Sequence, residues 1–120
     1  MPKARRLLGE ADGMLVMNYH DAAGRTAYLA GFHPAQVLIS ERTGRPAKTH
    51  RGVHSELYRL TKDDPRLDAE LRAFVGRAYN LKAIADYETG PGSEVSPESA
   101  AAAAAVETSK RFVDCIASLL

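Results

Sequence analysis

Between Arg25 and Glu41 the chain carries no charged side chain. Ala23, Ala30 and Val37 fall on one side of a helix drawn through this stretch. Leu29 and Phe32 fall on another, and Leu38 and Ile39 complete the circuit. A helix that is apolar on every side is covered by its neighbours and does not lie across a surface. The stretch therefore predicts the central helix of an all-helical domain, and 120 residues suit one such domain over 1–120 with a single core. The uncharged run from Thr26 to Ser40 is too short to span a membrane and contains His33 and Pro34.

The remaining elements follow from apolar spacing and end signals. Leu7, Leu8, Ala11 and Leu15 predict a first helix over 3–17, weakened by Gly9 and Gly13. Asp21 is a suitable N-cap for the second helix, which runs to about Thr43 and stops at Gly44 before Pro46. Pro34 removes the bond to the Ala30 carbonyl, so this helix either kinks near Gly31–Pro34 or divides into two short ones. Thr49 caps a third helix over 50–62 with Val53, Leu57 and Leu60 inward. Asp64-Pro65 starts a fourth, on which Leu67, Leu71, Phe74, Ala78, Leu81 and Ala85 form one line. Ser96-Pro97 starts the fifth, about 97–119. Its alanine run favours helix, and Val106, Val113, Ile116 and Leu120 continue one stripe. No stretch alternates with period two. The reading is an all-α, antiparallel bundle of four or five helices.

Charge and composition narrow the function classes. Formal net charge is only +1, but residues 1–62 hold ten Lys/Arg against five acids and residues 63–120 six against ten. Arg42, Arg45, Lys48, His50 and Arg51 follow one another with no acid between them. That segment reads either as an anion-binding surface or as a solvated loop. One cysteine, Cys115, excludes an intrachain disulfide, and with only Arg111 near to activate it the thiol reads as inert. The N-terminus lacks the pattern of a secretion signal, so the expected location is cytoplasmic. His50 and His54 stand four apart, a spacing used by zinc sites, yet no Glu follows His50 and no third ligand is near. Neither a metal nor a cofactor is expected.

Three segments carry the candidate chemistry: Arg25-x-Ala27-Tyr28-x-x-x-Phe32-His33, then Lys48-Thr49-His50-x-Gly52-Val53, then Leu81-Lys82-x-x-Ala85-Asp86-Tyr87. In order and distance they resemble the small stand-alone HEPN-domain proteins of bacteria and archaea, often encoded beside a minimal nucleotidyltransferase. The resemblance implies a HEPN-like bundle that forms a homodimer, with a groove for nucleotide or RNA. It also implies a toxin–antitoxin-type partnership with the nucleotidyltransferase. In active relatives the groove is a metal-independent endoribonuclease site built from an Arg and, four to six residues on, a His of the last core helix. Carried onto this chain, the resemblance makes Lys82, Asp86 and His33 the catalytic candidates. Arg25, Tyr28, Lys48, His50, Arg51 and Tyr87 are the candidates for holding a ligand or its phosphate.

The chain departs from that pattern at the reacting groups. Lys82 stands where Arg is usual, and no His lies on the fourth helix. Lysine meets a phosphate as a point charge without the guanidinium fork, and an ordinary carboxylate is a poor general acid at neutral pH. The expectation is therefore a binding module without catalysis. The alternatives are an active endoribonuclease of toxin type using Lys82 and Asp86 of both subunits with His33 or His50 as acid and base, and a helical adaptor without ligand. Arg25 and Asp86, both charges near apolar stripes, are expected to pair inside the bundle or its groove.

Overall fold

The computed structural model describes residues 2–76 and 95–120, and from 100 onward in the last helix its side chains as well. These residues are helices and connections, with no strand among them. The helices are α1 (Pro2–Val16), α2 (His20–Thr43), α3 (His50–Thr61), α4 (helical over 69–76) and α5 (Val95–Leu119).

Helix α2 is central, as its apolar character requires, but it is not covered all round. Tyr28, Phe32, Leu38 and Ile39 are buried, whereas Leu29 and Val37 reach solvent at 37% and 52% exposure. The side-chain circuit inferred from sequence thus has one open face. Pro34 lies buried inside one continuous helix, which excludes the division into two. Against α1 and α5 the packing of α2 is made of small residues. Ala4, Leu8, Ala30 and Val113 form one cluster, and Ala11, Ala23, Ala27 and Val106 another. The close approach is sealed by Ser109, whose hydroxyl donates to the Ala27 carbonyl at 2.7 Å with both residues fully buried. At Gly31 an added Cβ would lie 2.5 Å from Phe74 Cε2 and 3.1 Å from Phe112 Cδ1, so glycine is required for these rings to reach α2. The larger core lies on this side, with Phe74 and Phe112 at 4.9 Å between centroids and Val53, Leu57, Leu67 and Leu71 around them.

Several ends differ from the sequence reading. The α1–α2 corner closes earlier than Asp21. Asn18 adopts φ 62°, the Asn18 and Tyr19 amides donate to the Leu15 and Met14 carbonyls, and helix resumes at His20. Asp21 then lies in the first turn, and Tyr19 precedes the helix without a side-chain cap. Asp64 does not cap α4. It accepts from the Arg66 amide and guanidinium in a separate turn, and the cap is Asp68, which accepts from the Leu71 amide at 2.9 Å. Arg72 clamps that turn by donating to the Leu67 and Asp64 carbonyls, both at 3.0 Å. Helix α5 begins at Val95, two residues before the proline signal. Its stripe ends on buried Leu119, since Leu120 is exposed, and of the alanines 100–105 only Ala102 is buried. The Gly44 end of α2 is as expected, with φ 73° and its amide on the Ser40 carbonyl.

The antiparallel expectation fails at α3. Tyr28 meets His50 at one end, and Ile39 and Thr43 share a cavity of about 280 Å³ with Glu56 and Arg59 at the other. Helix α3 therefore runs in the same sense as α2. The connecting residues 44–49 lie back along α2 as a strap. From Tyr28 to Thr43 the helix rises about 22 Å. The Gly44 turn takes up part of residues 43–50, and the Tyr28 and His50 side chains close the remaining distance.

Candidate functional site

The strap and α2 together build the site. Gly44 turns the chain in the left-handed conformation, and Thr43 Oγ1 donates to the Ile39 and Arg45 carbonyls. Ala47 packs against the core, and Gln36 Nε2 donates to its carbonyl at 3.0 Å. Thr49 then caps α3, accepting from the Gly52 amide at 2.9 Å, and so sets His50 as the first helical residue.

His50 comes to rest against two rings of α2. Its Nδ1 is hydrogen-bonded to the Tyr28 hydroxyl, and its ring centroid lies 5.1 Å from those of both Tyr28 and Phe32. Tyr28 is fully buried and Phe32 nearly so, while His50 is half-buried. The phenol is thus closed to solvent and orients the half-buried imidazole. One turn before Tyr28 on the same helix stands Arg25, which is exposed. Arg25 is thus not enclosed by the bundle, because its position falls on the open face of α2. Its expected partner Asp86, and with it Lys82 and Tyr87, lies outside the described residues.

Lys48 and Arg51 flank His50 at the surface, and Arg45 follows along the strap. None of the three makes an ion pair among the described residues, unlike several arginines elsewhere. Arg5 pairs with Asp114 at 2.6 Å, Arg59 with Glu56 at 2.6 Å and Arg111 with Asp68 at 2.6 Å. Arg42 and Arg66 donate to the Leu119 and Ser118 carbonyls, covering the C-terminal end of α5. Lys48 and Arg51 thus stand beside His50 without an ion pair among the described residues, while Arg45 lies toward the Thr43 end of α2.

His33 sits apart from this pair. It is half-buried, its Nδ1 lies 3.3 Å from Gln36 Oε1, and its ring meets Phe32 edge-on at 6.1 Å. Its contacts are structural, and no reacting group faces it among the described residues. His54 is exposed, with its ring 3.3 Å from where a Cβ on Gly76 would stand. Among the described residues no three His, Cys, Asp or Glu side chains are grouped to hold a metal. Cys115 is half-buried, its thiol donates to the Arg66 carbonyl, and burial pushes its pKa up, which leaves it a poor nucleophile. Two features escaped the sequence reading: Phe32 as the second wall of the His50 site, and Gln36 as the link to the strap. The Phe32 spacing of four from Tyr28 was the available signal.

No family model matches this sequence, and no curated protein matches it. No described helix is long and apolar enough to cross a membrane.

Proposed function

We propose that this chain is a HEPN-like helical module that binds nucleotide or RNA and does not cleave it. It works as a homodimer beside a minimal nucleotidyltransferase in a toxin–antitoxin-type pair. The observation that carries the reading is the hydrogen-bonded contact of Tyr28 with His50. It joins two of the three sequence segments on which the resemblance rests. Around it stand a half-exposed imidazole and the cations of Lys48 and Arg51, a combination suited to a phosphate with an adjoining ring. Leu29 and Val37 on the open face of α2 supply apolar surface for a second copy.

One observation favours the alternative of a metal-independent endoribonuclease. An imidazole held by a buried phenol has the orientation a general base needs. Incubating the protein with labelled RNA in EDTA separates the two. A shifted but intact RNA supports the binding module. Cleavage that vanishes in both His50→Ala and Lys82→Ala establishes the enzyme. No shift and no cleavage leaves the structural adaptor. Sedimentation showing only a 13.0 kDa species would remove the homodimer.

A further inference from the structure

The strap that delivers His50 is held to α2 by a relay of two side chains. Gln36 Nε2 donates to the Ala47 carbonyl at 3.0 Å, three residues before His50. With the amide so turned, Oε1 faces His33 Nδ1 at 3.3 Å. Turning the amide over would set its oxygen against the Ala47 carbonyl, two acceptors face to face. The arrangement therefore requires the proton of His33 on Nδ1, donating to Oε1. The Ala47 carbonyl sets the sense of the amide, His33 braces its other end, and the amide holds the strap. Thr49 then caps α3, so the position of the strap sets where the His50 ring meets Tyr28 and Phe32.

We infer that Gln36 is a positioning residue for His50, and that His33 serves by bracing Gln36. The assignment gives His33 a part in the site without any proton transfer to a ligand. That the positioned imidazole serves ligand binding rests on the proposed function; the relay itself does not.

The histidine ring signals of the full chain in NMR test this. Against two aromatic rings, the His50 ring protons are displaced by ring currents from those of His54, which is exposed one turn further along α3. In Gln36→Leu more than half of that separation is lost, with the helical circular dichroism unchanged. Gln36→Glu keeps the size and the acceptor for His33 but has no donor for Ala47, so it behaves like Gln36→Leu. His33→Leu moves the His50 signals in the same direction by less, and adding it to Gln36→Leu moves them no further. Affinity for a short single-stranded RNA falls about two- to tenfold in Gln36→Leu, the factor corresponding to one net hydrogen bond. Unchanged His50 signals in both Gln36 variants would overturn the inference, since apolar packing of Ala47 would then suffice to hold the strap. A full additional shift in the double variant would overturn the part given to His33. A wild-type protein that binds no RNA would refute the binding module while the ring signals still decide the relay.

Discussion

Replacing Gly31 by alanine sets two opposed effects against each other, and the structure says which wins. Alanine in a helix interior is favoured over glycine by about 1 kcal/mol through backbone entropy. At Gly31, however, the new methyl would stand 2.5 Å from Phe74 Cε2, 3.2 Å from Phe74 Cζ and 3.1 Å from Phe112 Cδ1. Ordinary contact between such carbons needs about 3.5–4.0 Å, so the Phe74 ring has to retreat by about 1 Å. It has little room: Phe74 is 3% exposed, Phe112 is fully buried, and the rings already touch. Forcing one methyl into a filled core costs about 1–3 kcal/mol. The packing cost exceeds the entropy gain, giving a net loss of about 1 kcal/mol. Gly13 in α1 is the control, since nothing lies within 4 Å of its added Cβ and its φ is not positive. Gly13→Ala therefore stabilises by about 0.5–1 kcal/mol. Urea denaturation of the two variants reads the difference, which cancels the entropy term and leaves the packing cost alone. Equal midpoints for Gly31→Ala and Gly13→Ala would refute the close approach of Phe74 to α2.

Two further outcomes follow from the ends of the helices. Thr49→Ala removes the cap on the Gly52 amide and should cost about 1 kcal/mol in urea denaturation, while Thr49→Ser should restore most of it. On acidification, Arg66 holds the Asp64 carboxyl down to about 2, and the Leu71 amide and Arg111 lower that of Asp68. Both folded values lie below the ordinary 3.8, so their stabilisation is complete above that pH and is lost as pH falls through it toward about 2. Thermal midpoints measured from pH 5 down to pH 2 should fall over that window, and the fall should shrink in Asp64→Asn. An identical fall in the variant would contradict the assignment.

The parts of the fold that could be read from sequence are those with a local cause. The uncharged stretch 26–40 marks the central helix because it carries no charge and most of its side chains are apolar and need cover. Gly44 and Thr49 mark ends because each supplies a conformation or an acceptor at a fixed position. Asp64-Pro65 misleads because the same residues serve a turn as well as a cap, and here the side chains of Arg66 and Arg72, both bonded to Asp64, hold the turn. The direction of α3 was hidden for a related reason. Residues 44–49 suit a short hairpin between antiparallel helices, and nothing local reveals that Ala47 packs onto α2 and Gln36 holds it. At the site, Tyr28 and His50 were singled out separately, but their contact depends on that strap. His33 shows the converse: an imidazole on an apolar helix suggests chemistry, and its neighbour Gln36 gives it a structural partner instead.

The salt dependence of RNA binding tests the account most directly. Lys48 and Arg51 stand beside His50, exposed and without an ion pair among the described residues. If both meet phosphates of a single strand, each contributes about 0.7 to the slope of log affinity against log salt. Fluorescence anisotropy of a labelled single-stranded RNA, titrated at several salt concentrations, measures that slope. The account predicts binding that weakens with salt, and a slope smaller by about 1.4 in the double variant Lys48→Ala/Arg51→Ala. A double variant with the affinity and slope of the wild type would contradict it.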